Sequence, residues 1–127
     1  MYGILRDGKK VSYVCGKNEL QSIMSTLVSD CKALFGDKLC DVRLYGSYAR
    51  GDYNEESDID VMILLNMEDS ESRKHRGSVC HIASEIDLTY GVCLSPVICT
   101  RVLYEKWNEF PGFYNDVRKE GVSMLAG

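Results

Sequence analysis

Apolar residues recur at intervals of three and four positions between Asn18 and Phe35, the spacing that lines up side chains on one face of an α-helix. The stripe comprises Leu20, Ile23, Met24, Leu27, Val28, Cys31, Leu34 and Phe35. Asn18 is the predicted N-cap of this helix, and Gly36 is the residue predicted to end it. Every domain must bury such a face, so we interpret the stripe as core rather than as a partner-binding surface.

Three apolar segments further along the chain predict β-strands, at Leu39 to Tyr45, Ile59 to Leu65 and Val92 to Cys99. The second segment is almost continuously apolar, which is typical of an inner strand that is buried on both faces. Pro96 has no backbone N–H to offer a neighbouring strand, so the third segment is predicted to lie at an edge of the sheet or to end early.

Helical segments are predicted between and after these strands. They are a short turn at Ser47 to Gly51, a long helix at Ser70 to Tyr90 that Gly91 closes, and two short helices at Arg101 to Phe110 and Gly112 to Glu120. Residues 52–57 are polar and predict a loop. The order of elements predicts the α/β fold class, a small mixed sheet of about three to five strands with helices packed on it.

Residues 1–17 carry the weakest pattern. Asp7-Gly8 is a tight-turn signal between two apolar segments, so this part of the chain fits either a small hairpin or a loose arm. We therefore divide the chain into an N-terminal arm or hairpin over residues 1–17 and one domain over residues 18–127.

Composition and charge narrow the functional classes. The 127 residues include 15 lysines and arginines and 19 aspartates and glutamates, which gives a net charge of −4. We therefore expect no direct nucleic-acid binding, because that affinity comes from clustered basic charge. No apolar segment reaches the ~18 residues of a membrane span. The six cysteines form no C-x-x-C pair and the chain opens without a signal-peptide pattern, so we expect a cytoplasmic protein with free thiols.

Two aspartates, Asp58 and Asp60, open the most apolar of the predicted strands. Side chains alternate across a strand, so both carboxylates are expected on one face, about 7 Å apart. Two neighbouring carboxylates repel each other, and a bound divalent cation such as Mg²⁺ removes that cost. Taken alone, the pair also fits two solvated acids at the point where a loop becomes a strand.

Gly46-Ser47 stands where one predicted strand ends and a helical turn begins. A glycine lets a ligand approach the backbone closely, and N–H groups at such a turn favour phosphate. Ser47 adds a hydroxyl donor, and Arg50 lies one turn further on, within reach of a phosphate oxygen. A simple strand-to-helix turn would look the same. Together with the acid pair, however, the motif predicts a site for a nucleoside triphosphate and its metal.

Gly46-Ser47, ten intervening residues and Asp58-Ile59-Asp60 resemble the signature of the minimal nucleotidyltransferases, a branch of the polymerase beta superfamily. The resemblance covers roughly residues 18 to 127. It implies the nucleotidyltransferase fold and the transfer of a nucleoside monophosphate, usually AMP, from a triphosphate to an acceptor. It further implies that Asp58 and Asp60 are the catalytic metal ligands, with Mg²⁺ as cofactor, and that Gly46 and Ser47 cradle the triphosphate.

The family usually carries a third carboxylate on the strand after the second helix, and our alignment places Cys93 at that position. A cysteine is not a hard oxygen ligand and is mostly protonated at neutral pH. Either the acid is lost or the alignment misplaces it, and a lost base would weaken catalysis by about two to four powers of ten. A catalytically degenerate module that acts by binding a partner protein is therefore the alternative.

The acceptor is expected to come from a partner protein or from a second copy of the chain. Small members of the family are often encoded beside a HEPN-domain protein, so the resemblance implies an antitoxin that modifies a HEPN-type toxin with AMP. Transfer to a small molecule such as an aminoglycoside is a further possibility, although such enzymes commonly carry extra helical domains. The motifs leave the choice among ATP, GTP and CTP open.

Overall fold

The structure, a computed structural model, describes residues 2–4, 10–12 and 16–125. The strands are β1 (Tyr2–Ile4), β2 (Lys10–Ser12), β3 (Leu39–Tyr45), β4 (Ile59–Leu65), β5 (Leu94–Thr100) and β6 (Val122–Ser123). The helices are α1 (Lys17–Phe35), α2 (Ser47–Arg50), α3 (Asp69–Arg73), α4 (Arg76–Tyr90), α5 (Arg101–Trp107) and α6 (Phe113–Glu120), with a 3₁₀ turn at Gly36–Lys38.

A four-stranded mixed sheet in the order β5-β4-β3-β6 forms the centre of the fold. β4 runs parallel to β5 and antiparallel to β3, and β3 pairs antiparallel with β6. The predicted fold class is confirmed. The sequence analysis predicted no strand at β6, because two residues carry no readable alternation. β6 exists through its pairing with Arg43 and Leu44 of β3.

The inner strand β4 separates two apolar clusters. Ile59, Val61 and Ile63 pack on one face of the sheet with buried residues of α1 and α4. Met62 and Leu64 pack on the other face with Val117 of α6. Asp60 alternates with the first group along the strand, so its side chain shares the α6 face. This alternation brings a carboxylate out of an otherwise buried strand and towards the end of α6.

Several element boundaries differ from the sequence-based predictions. The segment predicted as one helix from Ser70 to Tyr90 is divided into α3 and α4. The α-helix is interrupted at Lys74 and His75, whose N–H groups donate hydrogen bonds to carbonyls three residues earlier. The N-cap of α1 is Gly16 rather than Asn18, because the helix begins two residues earlier. Pro96 predicted an edge position or an early end for this strand, and the edge position is confirmed, since among the described residues β5 pairs with β4 alone.

The N-terminal residues pair as two strands, with β1 antiparallel to β2. The Asp7-Gly8 turn signal lies outside the described residues, and so does Cys15. The five cysteines that the structure describes are free thiols, of which Cys31 and Cys99 are buried. None of the helices within the described part of the chain has both the length and the apolar character that crossing a membrane requires.

Candidate active site at the β3–α2 turn

Gly46 joins β3 to α2 in a backbone conformation that only glycine adopts easily. Its φ is 74° and its ψ is −157°, and the residue is buried. A Cβ atom at this position would overlap the carboxylate of Asp60 and lie 3.1 Å from its Cγ. The absence of a side chain therefore lets the Asp60 carboxylate rest directly against the turn, and Gly46 and Asp60 form one site.

Asp60 is the second residue of β4, the strand next to the turn, and Asp58 stands immediately before that strand. Asp60 stands opposite Tyr45 in the register of the two antiparallel strands, one residue before Gly46. Asp60 is half-buried and Asp58 is exposed. Burial raises the pKa of Asp60, and the Asp58 carboxylate raises it further. The acid pair therefore carries the electrostatic cost that the sequence analysis predicted for two neighbouring carboxylates.

Replacing Asp60 with asparagine should raise the melting temperature at pH 7 and leave it nearly unchanged at pH 3. Because burial raises the pKa of Asp60 above its ordinary value of 3.8, the folded protein holds this proton more tightly than the unfolded chain. The ionised carboxylate therefore subtracts stability as the pH rises above that value, and asparagine removes the loss. Thermal unfolding of both proteins at both pH values measures this effect. A melting temperature at pH 7 that stays the same or falls would contradict it.

Arg50 and Glu120 lie directly beside the turn. The Gly46 N–H donates a hydrogen bond to Oε1 of Glu120 at 3.1 Å. The Nη1 group of Arg50 donates to both Glu120 oxygens, at 3.1 and 3.2 Å, and its Nε donates to Oδ2 of Asp52 at 3.2 Å. A carboxylate thus occupies two of the donors that the sequence analysis assigned to a phosphate. Ser47 follows Gly46 directly and is the first residue of α2.

The sequence analysis did not predict Glu120 as part of this site. Glu120 follows Arg50 by 70 residues and ends a helix whose pattern suggests only packing. A guanidinium on β3 positions it: Arg43 Nε donates to the Val117 carbonyl at 3.1 Å, and Arg43 Nη2 donates to the Arg118 and Gly121 carbonyls, each at 3.0 Å. The last turn of α6 is therefore attached to the strand that leads into Gly46.

Cys93 stands immediately before β5 and lies beside Asp58. The N–H of Ile59 donates to the Cys93 carbonyl at 2.9 Å, and the parallel register pairs Ile59 with Leu94. Burial raises the pKa of the Cys93 thiol, and the Asp58 carboxylate raises it further, so the thiol stays protonated at neutral pH. Asp87 is the acid nearest to Cys93 in the sequence. Its carboxylate accepts a hydrogen bond from the Leu94 N–H at 2.8 Å.

The acid pair fits a divalent cation that takes some of its ligands from the protein and the others from a bound substrate. Within residues 16–125 and the two described N-terminal strands, no three His, Cys, Asp or Glu side chains are grouped so that they could hold a metal alone. Mg²⁺ commonly takes one or two carboxylates and completes its shell with phosphate oxygens and water. The repulsion that raises the pKa of Asp60 is the kind of cost that such an ion relieves.

A cavity of about 750 Å³ lies on the opposite side of the sheet from the acid pair. Its lining includes Met24 and Val28 of α1 together with Leu44 and Met124, and none of the motif residues. Leu44 belongs to the apolar cluster on the α1 face, whereas Asp60 shares the other face. We therefore assign the candidate chemistry to the β3–α2 turn and not to this cavity.

Residues 24–114 match the family model described as "Nucleotidyltransferase domain". The chain is 35% identical over 106 residues to "Putative protein adenylyltransferase MJ0141" of Methanocaldococcus jannaschii. This alignment covers 84% of this chain and 99% of that relative. A second relative from the same organism, "Putative protein adenylyltransferase MJ0604", is 31% identical over 107 residues, with 82% and 95% covered. A solved toxin–antitoxin structure with AMP-PNP has 17% identity and a TM-score of 0.47, with 79% of this chain and 70% of that chain covered.

Proposed function

The chain belongs to the nucleotidyltransferase domain family of the polymerase beta superfamily, and on that premise we propose that it transfers AMP from ATP to a partner protein with the help of Mg²⁺. The observation that carries the proposal is the contact between Gly46 and Asp60. This contact joins the predicted phosphate-binding turn, which follows β3, to the predicted metal-binding acid, which lies in β4. Two solvated acids and an unrelated turn would not place the Asp60 carboxylate where the side chain of residue 46 would otherwise lie.

The residues of the turn would bind and orient the triphosphate. The Gly46 N–H and the Arg50 guanidinium already hold an anionic group, and phosphate oxygens accept from the same donors. Ser47 would add its hydroxyl. Asp58 and Asp60 would hold the Mg²⁺ ion, which supplies charge neutralisation at the phosphates when it is bound. The protein then contributes mainly positioning and charge stabilisation.

The transfer forms one bond and breaks one. A hydroxyl oxygen of the acceptor bonds to the α-phosphorus of ATP while the bond from that phosphorus to the pyrophosphate oxygen breaks. Pyrophosphate leaves with the electron pair, and the proton of the hydroxyl passes to water. This part of the proposal rests on the family chemistry, with Asp58, Asp60 and Arg50 oriented towards the phosphates.

A protein acceptor is supported by the names of both Methanocaldococcus relatives, which describe protein adenylyltransferases. The chain covers nearly the whole length of each, so the likeness is not confined to a shared fragment. The resemblance noted in the sequence analysis makes a HEPN-domain protein the first acceptor to test, with a second copy of this chain as the next.

Labelled ATP tests the proposed reaction. The protein is incubated with Mg²⁺, a HEPN-domain protein and ATP labelled either at the α- or at the γ-phosphate. Transfer of AMP predicts label on protein from the α-position, none from the γ-position, and one pyrophosphate released for each AMP bound. Label from the γ-position would indicate a kinase, and label from neither position on any protein present would contradict AMP transfer to these acceptors.

Cys93→Asp should raise the rate of transfer by about tenfold or more, because a carboxylate beside Asp58 would supply the third acid of the family and act as a base. Cys93→Asn, which has a similar size and no charge, is the matched control. Cys80→Asp makes the same change on an exposed position of α4. A rate that falls, or that stays the same in a folded Cys93→Asp protein, would show that this position is not where a carboxylate is missing.

A binding module is the second candidate function. The observation that favours it is the protonated thiol of Cys93, at the position where the family usually carries a third carboxylate beside the acid pair. In that case the protein would bind its partner equally well with asparagine at positions 58 and 60, and no label would transfer from ATP. Binding that depends on an intact acid pair would exclude this alternative.

A further inference from the structure

We propose that Glu120 occupies the phosphate position of the free protein and that the triphosphate must displace this side chain in order to bind. The inference rests on the proposed function and adds that the Glu120 side chain competes with the triphosphate for the same site. A nucleotide would then bind with an affinity reduced by the free energy needed to release Glu120.

The contacts of Glu120 are those of a bound anion. Its two carboxylate oxygens accept three hydrogen bonds, one from the Gly46 N–H and two from Arg50, at 3.1 to 3.2 Å. A backbone N–H and a guanidinium together are donors that proteins commonly present to phosphate oxygens. Phosphate and Glu120 would therefore need the same donors in the same place, and the two cannot be bound there together.

The electrostatics of the acid pair also make the two anions exclusive. Glu120 accepts a hydrogen bond from the Gly46 N–H at 3.1 Å, and the Asp60 carboxylate rests against the same residue, so the two carboxylates lie close together. A triphosphate that enters with Glu120 still in place would add negative charge to three carboxylates. Displacement of Glu120 removes one of them and frees Arg50 to bind the new anion.

The side chain can leave without unfolding the helix that carries it. Arg43 binds carbonyl groups at the end of α6, and these contacts involve the backbone, not the Glu120 carboxylate. The Glu120 side chain is 27% exposed and therefore has access to solvent on one side. Rotation of this one side chain, with α6 held in place, is sufficient to open the site.

A role of Glu120 as a third metal ligand would predict the opposite behaviour. A ligand carboxylate must direct an oxygen lone pair at the cation, whereas both Glu120 oxygens are directed at N–H donors. The described residues also include no group of three acids arranged around a metal. The structure therefore favours competition with phosphate over coordination of the ion.

Calorimetric titration separates the two roles. Wild type, Glu120→Gln and Glu120→Ala are titrated with a non-hydrolysable ATP analogue plus Mg²⁺, and separately with inorganic tripolyphosphate. We expect affinities for both ligands about three- to tenfold higher in the two variants, the range that loss of a partly exposed charged contact gives. Glu109→Gln makes the same change on an exposed residue between α5 and α6 and should stay within about twofold of wild type.

Each outcome decides the proposal. Tighter binding by the Glu120 variants supports it. Equal or weaker binding by these variants, with a wild type that binds the analogue, overturns the inference and leaves the proposed function intact. No binding of the analogue by wild type or by any variant overturns both. Thermal unfolding checks that the variants are folded, and the near-isosteric Glu120→Gln carries the test if Glu120→Ala unfolds.

Discussion

Asp58→Asn and Asp60→Asn should each lower the rate of AMP transfer on the order of a thousandfold, equivalent to about 4 kcal/mol of transition-state stabilisation. Asparagine keeps the shape of the side chain but loses the charge that would hold the proposed Mg²⁺ ion at the phosphates. The loss should appear in single-turnover rates with α-labelled ATP, measured at saturating Mg²⁺.

Asp37→Asn is the matched control, because this aspartate is exposed in the 3₁₀ turn before β3, at the opposite end of that strand from Gly46. It should transfer AMP at the wild-type rate. The melting temperature of Asp60→Asn, which is expected to rise at pH 7, shows whether lost activity comes from lost structure. An Asp60→Asn protein that retains more than about a tenth of the wild-type rate would contradict a role for this acid in holding the metal.

Gly46→Ala should lower the free energy of unfolding by about 2 kcal/mol or more and reduce transfer by about a hundredfold. The φ of 74° strains any residue with a side chain, and the new methyl group would overlap the Asp60 carboxylate. Asp60 would have to move, and small displacements of catalytic groups have large effects on rates. Denaturant unfolding and single-turnover transfer measure the two effects.

Gly51→Ala separates strain from displacement. Gly51 has a φ of 88°, but nothing lies within 4 Å of a Cβ built there. This variant should lose about 1 kcal/mol of stability from backbone strain and keep its transfer rate.

In an Asp60→Ala background, Gly46→Ala should cost less stability than in wild type, since the overlap is gone. Equal costs in both backgrounds would show that Gly46 and Asp60 do not share one site.

The sequence predicted the central strands and the face of the sheet on which Asp60 lies, because both depend on local patterns. The apolar run of β4 was sufficient to place it inside the sheet, and its alternation was sufficient to direct Asp60 to the face opposite Ile59 and Val61. The antiparallel register of β3 and β4, which sets Tyr45 opposite Asp60, was not among the sequence-based predictions and comes from the structure.

Features that depend on distant contacts were not predictable. β6 exists only as a partner of β3, and its two residues have no pattern of their own. Glu120 joins the site because Arg43 attaches the end of α6 to β3, a contact between residues more than seventy positions apart. The break between α3 and α4 falls at Lys74 and His75, and the nearby Gly77 lies inside α4 and does not mark the boundary. In each case, tertiary packing overrides a local signal or supplies one that the sequence lacks.

The central claim is that a metal and a triphosphate bind together between the acid pair and the Gly46 turn. Isothermal titration of the wild-type protein with a non-hydrolysable ATP analogue, with and without Mg²⁺, tests it most directly, beside the Asp58→Asn/Asp60→Asn double variant. The account predicts one bound nucleotide per chain, binding that strengthens with Mg²⁺, and loss of that Mg²⁺ dependence in the double variant. Nucleotide binding that is equally tight in the double variant, or the same with and without Mg²⁺, would contradict it.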